Sequence, residues 1–75
     1  STEEEYYNDE LQKELELAVE KLPERCKLIF LLSRVNGLKY KEIASELNIS
    51  IKTVEVQMGR ALKKLRQYLG PFISS

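Results

Sequence analysis

GLKYKEIASELNISIKTVEVQMGRALKKLRQYL, residues 37–69, carries the signals that decide the fold. Ile43, Ala44 and Leu47 recur at helical spacing between Tyr40 and Leu47, barely two turns. Asn48 tolerates positive φ, Ile49 is apolar, and Ser50 is a residue that caps helix starts. From Ile51 to Leu69 a longer stripe follows, made of Val54, Met58, Ala61, Leu62, Leu65 and Leu69. Two helices joined by three or four residues, the first of them short, form a helix-turn-helix. Ala44 is small where the second helix must cross closely, and Ile49 and Val54 plug the angle between the two. Periodicity and turn alone would suit a helical hairpin of an ordinary bundle equally well.

Upstream, the same rules give two more helices. Leu11, Leu15, Ala18, Val19 and Leu22 form a stripe with helical spacing. Either Thr2 with Glu5, or Asn8 alone, could cap that helix. The next starts at Pro23, which needs no amide partner at a first helical position, and stops at Asn36-Gly37, a left-handed terminator. Leu28, Leu31, Leu32 and Val35 make one of its faces, and Cys26, Ile29 and Phe30 lie on the other side. A short helix apolar on both sides is expected to be sandwiched. Ile29 and Phe30 suit a core against the first helix better than a pocket for a protein partner. Gly70-Pro71 should end the last helix. The expectation is an all-α fold: a small four-helix domain over 1–75, helices near 5–21, 23–35, 40–47 and 51–69, with a C-terminal helix-turn-helix.

A chain of 75 residues supports one small domain. With no His there is no imidazole base, and a single Cys forms neither an internal disulfide nor a thiolate zinc site. No metal or other cofactor is therefore expected. Glu42 and Glu46 share a helix face without a His, a metal cluster or a Gly-rich phosphate loop, and Cys26 lacks an activating base, so an enzyme is not expected either. No apolar run approaches the ~20 residues of a membrane span. The acidic, polar start is not the pattern of a signal peptide. The chain does not open on Met, and whether it is a piece of a longer protein stays open.

The formal net charge of zero hides an asymmetry. Residues 1–24 carry nine acids against two lysines, −7, and residues 25–75 carry ten basic residues against three acids, +7. Such a molecule should turn its basic part toward a polyanion. In the last helix, at about 100° per residue, the side opposite Val54, Met58 and Leu65 holds Lys52, Thr53, Val56, Arg60, Lys63 and Gln67, with no acid among them. Glu55 and Gln57 flank the stripe. A row of this kind suits a helix entering a major groove, where Val56 would meet a thymine methyl. Gly59, costly in mid-helix, suits either close approach of a phosphate backbone or a tolerant surface site. Lys39 and Lys41 oppose the dipole at the start of the third helix; a phosphate over that start would reverse the sign. The acidic first helix could cover the basic surface when no nucleic acid is bound.

Leu22-Pro23-Glu24-Arg25, Ile29-Phe30-Leu31-Leu32, Gly37 to Ala44, Ser50 with Thr53-Val54, and Arg60 to Arg66, in this order and spacing, resemble region 4 of bacterial sigma factors, most of all the extracytoplasmic-function group. Each motif is weak alone; together they span about residues 10–69. The resemblance implies a domain that binds the minus-35 element of double-stranded promoter DNA and docks on the flap of the RNA polymerase β subunit. It also implies an anti-sigma factor as a partner and a cytoplasmic, non-membrane location. Carried across by position, Lys52, Thr53, Glu55, Val56, Gln57 and Arg60 would read bases. Arg34, Lys39, Tyr40, Lys63, Lys64 and Arg66 would meet phosphate. Many members have Ser or Thr where Lys39 stands and a basic residue where Glu55 stands, so base identity does not transfer. A LuxR-type response-regulator output domain and a protein-only helical adaptor are the alternatives. The Leu-Pro-Glu-Arg start and the long acidic helix favour sigma over the former.

Overall fold

The computed structural model describes the backbone of residues 2–73 and the side chains of residues 9–70. Four helices follow in order: α1 (Thr2–Glu20), α2 (Glu24–Arg34), α3 (Tyr40–Leu47) and α4 (Ile51–Ile73). No strand occurs among the described residues. The fold is all-α, as the periodicities require. The long C-terminal helix α4 packs against each of the other three, and α2 also packs on α3.

One apolar cluster holds these elements together. Ala18, Val19 and Leu22 enter it from α1 and its end, Cys26, Ile29 and Phe30 from α2, Ile43 and Ala44 from α3, and Val54, Met58, Ala61 and Leu65 from α4. Burying each of the larger side chains contributes about 1.5–3 kcal/mol. No buried side-chain polar atom among the described residues lacks a partner. The radius of gyration, 14.1 Å, exceeds the ~11 Å expected of a compact chain this long. Two long helices stretch the body to 44 Å along its greatest axis.

Local signals set most boundaries. Gly37 takes φ +70°, and the Leu31 and Leu32 carbonyls left at the end of α2 accept the amides of Asn36 and Leu38. Asn48 closes α3 in the left-handed region at φ 55°, ψ 49°. There the Ile49 amide donates to the Ala44 carbonyl at 2.9 Å and the Asn48 amide to Ser45 at 3.3 Å, the paired bonds of a Schellman ending. At α4 the Thr53 amide donates to Ser50 Oγ at 3.0 Å, so Ser50 is the cap.

Several boundaries depart from the sequence expectation. α1 already runs from Thr2, so Asn8 lies inside it and is not its first residue or cap position; the Thr2–Glu5 pairing lies outside the described side chains. Pro23 is the cap residue of α2 and not its first helical residue, because its ψ of 146° is extended. Its carbonyl accepts the Lys27 amide at 2.9 Å, which starts the ladder one residue later than a first-position proline would. α4 continues through Gly70-Pro71 to Ile73. Proline's fixed φ is compatible with a helix, so Pro71 does not by itself force an end there. The side chains of Phe72 and Ile73 lie outside the described ones.

α2 is also not sandwiched. Cys26, Ile29 and Phe30 are buried, but Leu28 is 42% exposed and Val35 75%. The core is one-sided here because α3 and α4, the helices packed on α2, meet it at its Ile29 side. The face with Leu28 and Val35 is left open.

Candidate nucleic-acid interface

α3 and α4 are joined by Asn48, Ile49 and Ser50 in the manner of a helix-turn-helix. Ile43 and Val54, both fully buried, meet in the core beside Ala44 and Met58. With that face of α4 turned inward, helical geometry turns Lys52, Val56, Arg60 and Lys63 outward. All four are exposed, and so are Glu55 and Arg66. Val56, 42% exposed, sits among cations. The ion pair between Lys27 and Glu20, at 2.9 Å, joins α1 to α2. Among the described residues no acid pairs with a cation of α4. α1 meets α4 through its apolar stripe.

The remaining candidates are more constrained. Thr53 and Gln57 are half-buried on the flank of α4. Thr53 Oγ1 lies 2.9 Å from Ser50 Oγ, which commits it partly to the cap. Gln57 Oε1 accepts a hydrogen bond from the buried Cys26 thiol at 3.1 Å. Lys64 is half-buried. Lys39 and Tyr40 are exposed at the start of α3. Lys39 cannot cap with its ammonium, which has no acceptor. Its amide donates to Glu42 Oε1 at 2.8 Å, so Glu42 supplies the negative charge the helix start favours. Lys39 and Lys41 therefore do not leave the dipole uncompensated, as the sequence suggested.

Arg34 stands apart from this set. Its guanidinium lies 6.0 Å from the centre of the Phe30 ring. It lines a groove between α1, α2 and the second half of α4, whose apolar walls include Leu15, Val19, Phe30, Leu31, Val35 and Leu62. The sequence favours core over partner pocket for Ile29 and Phe30. Ile29 is wholly core, yet Phe30 is both core and groove wall. The second apolar face of α2 was the signal for this groove. No sequence signal pointed to the Cys26–Gln57 pair.

Gly59 is exposed on α4, and a Cβ placed on it would meet nothing within 4 Å. No internal contact requires glycine at this position.

A tight helix-turn-helix whose second helix presents an exposed basic face defines a DNA-binding class of domain. Residues 12–65 match the family described as Sigma-70, region 4, and the chain belongs to that family. It is similar to the ECF RNA polymerase sigma factor SigE of Mycolicibacterium smegmatis, with 31% identity over 64 residues, 85% of this chain and 25% of that protein. The chain thus spans about a quarter of the length of this relative. The family is a regulatory, DNA-binding one of transcription initiation, not a family of enzymes. No helix among the described residues is long and apolar enough to cross a membrane.

Proposed function

We propose that this chain is the minus-35-reading domain of an extracytoplasmic-function sigma factor, with α4 lying in the major groove of promoter DNA. The observation that carries this reading is the outward face of α4: Lys52, Val56, Arg60 and Lys63 are exposed together, and among the described residues no acid pairs with its cations. On this reading Lys52, Glu55, Val56 and Arg60 meet base edges, while Thr53 and Gln57 work from the flank. Arg60 is built for bidentate contact with guanine, and Val56 for a thymine methyl. Lys39, Tyr40, Lys63, Lys64 and Arg66 contact phosphates and fix register. Arg34, at the groove, serves that role least well.

The apolar groove gives the RNA polymerase β flap a surface separate from the DNA face, suited to a helix laid between α1 and α2. An anti-sigma factor would silence the domain by covering either surface. Both partners place the protein in the cytoplasm. The test is selection of bound duplexes from a random pool by this chain. Enrichment of one short sequence, lost in Arg60→Ala, is the expected result; retention of no duplex at low salt would instead favour a protein-only adaptor.

A further inference from the structure

We infer that Cys26 is a positioning residue for DNA reading: its thiol holds the carbonyl of the Gln57 side chain inward, so that Gln57 presents an NH2 donor to an acceptor on DNA. The inference rests on the proposed placement of α4 in the groove and assigns the chemistry of one of its contacts.

The geometry is direct. Cys26, near the start of α2, is 3% exposed and lies 31 residues from Gln57 in the chain. Its Sγ donates to Gln57 Oε1 at 3.1 Å across the α2–α4 junction. The thiol is a weak donor and a weak acceptor, and here it is the amide oxygen, not the NH2, that is turned to it. The two amide heteroatoms diverge from one carbon, so Nε2 then points away from the sulfur. Nε2 makes no bond among the described residues, and no buried side-chain nitrogen or oxygen there is without a partner. It is therefore open to solvent, on the flank of the helix proposed to face DNA. A free glutamine presents either a donor or an acceptor and pairs bidentately with adenine. With its oxygen turned inward to the thiol, Gln57 presents its NH2 outward as a donor. Its complement is guanine O6 or N7, adenine N7, thymine O4 or a phosphate oxygen, and not the amino group of cytosine.

Four variants test this: Cys26→Ala, Cys26→Ser, Gln57→Leu and Gln57→Glu. Each is measured against duplexes in which every base pair of the selected site is varied in turn. One hydrogen bond corresponds to a roughly three- to tenfold effect. Cys26→Ala and Gln57→Leu should reduce discrimination at one and the same base pair by that factor, and Cys26→Ser, which keeps a donor, should restore it. Gln57→Glu, which keeps the thiol's acceptor but has no NH2, should lose it. If instead Cys26→Ala, Gln57→Leu and Gln57→Glu weaken all duplexes equally and Cys26→Ser does not, the donor meets phosphate and the positioning role stands. No change in Cys26→Ala, or no restoration by Cys26→Ser, overturns it. A second readout needs no DNA: 15N relaxation of the Gln57 side-chain amide should show it ordered in the parent chain and in Cys26→Ser, and more mobile in Cys26→Ala. An amide equally mobile in all three overturns the positioning even if DNA binds. An ordered amide in a chain that binds no duplex shows that the placement of α4 has failed, and the inference falls with it.

Discussion

Ser50 Oγ lies 3.0 Å from the amide nitrogen of Thr53 and 2.9 Å from the Thr53 hydroxyl, so one side chain fixes both the backbone and a flank residue at the start of α4. Proposed base contact begins in this first turn of α4, at Lys52. Ser50→Ala should cost about 1 kcal/mol, lowering the thermal midpoint by about 4–8 °C in a domain this small. Circular dichroism melting checks it. DNA affinity should fall with it, because the same bond orients the proposed reading residues.

Gly59 separates stability from binding. With nothing within 4 Å of an added Cβ, Gly59→Ala should stabilise the chain by up to about 1 kcal/mol. If a phosphate backbone comes close at that point, the same variant should bind DNA more weakly. Chemical denaturation and duplex titration of one preparation give both numbers. Stabilisation with unchanged binding would make Gly59 a tolerant surface site.

Arg60 and Lys63 are both exposed on α4, yet their loss should differ in kind. Arg60→Ala should lower affinity for the selected sequence by about 1–3 kcal/mol, with little effect on unrelated duplexes and none on melting. Lys63→Ala should weaken every duplex alike and make the logarithmic salt dependence shallower by about one unit. Titrations at several salt concentrations separate the two.

Ile43→Ala and Val35→Ser contrast core and groove. Ile43 is fully buried at the helix-turn-helix junction, and its truncation should cost 2–5 kcal/mol, on the order of a small domain's whole stability. Val35 is 75% exposed, so Val35→Ser should change stability by less than about 0.5 kcal/mol. It should nevertheless weaken binding to the isolated polymerase β flap, since Val35 lines the groove proposed to hold it. Calorimetry against the flap, with DNA binding as control, checks the separation.

Four helices, their order and the turn between α3 and α4 can be read from the chain alone, though not the start of α1, the start of α2 or the end of α4. Asn48, Ser50 and Gly37 act on groups no more than about five residues away, and such interactions are written in the local order of side chains. The inward stripe and outward basic row of α4 were legible for the same reason, because helical period converts position into direction. Tertiary structure alone decided the rest. Which face of α2 is covered depends on where α3 and α4 arrive, so Leu28 and Val35 stayed open while Phe30 was buried. Arg34 went to a groove instead of the basic row, and Cys26 met Gln57 across 31 residues of chain. Those outcomes depend on packing distant segments into one core, and no local pattern in the chain records which side chains that packing will bring together.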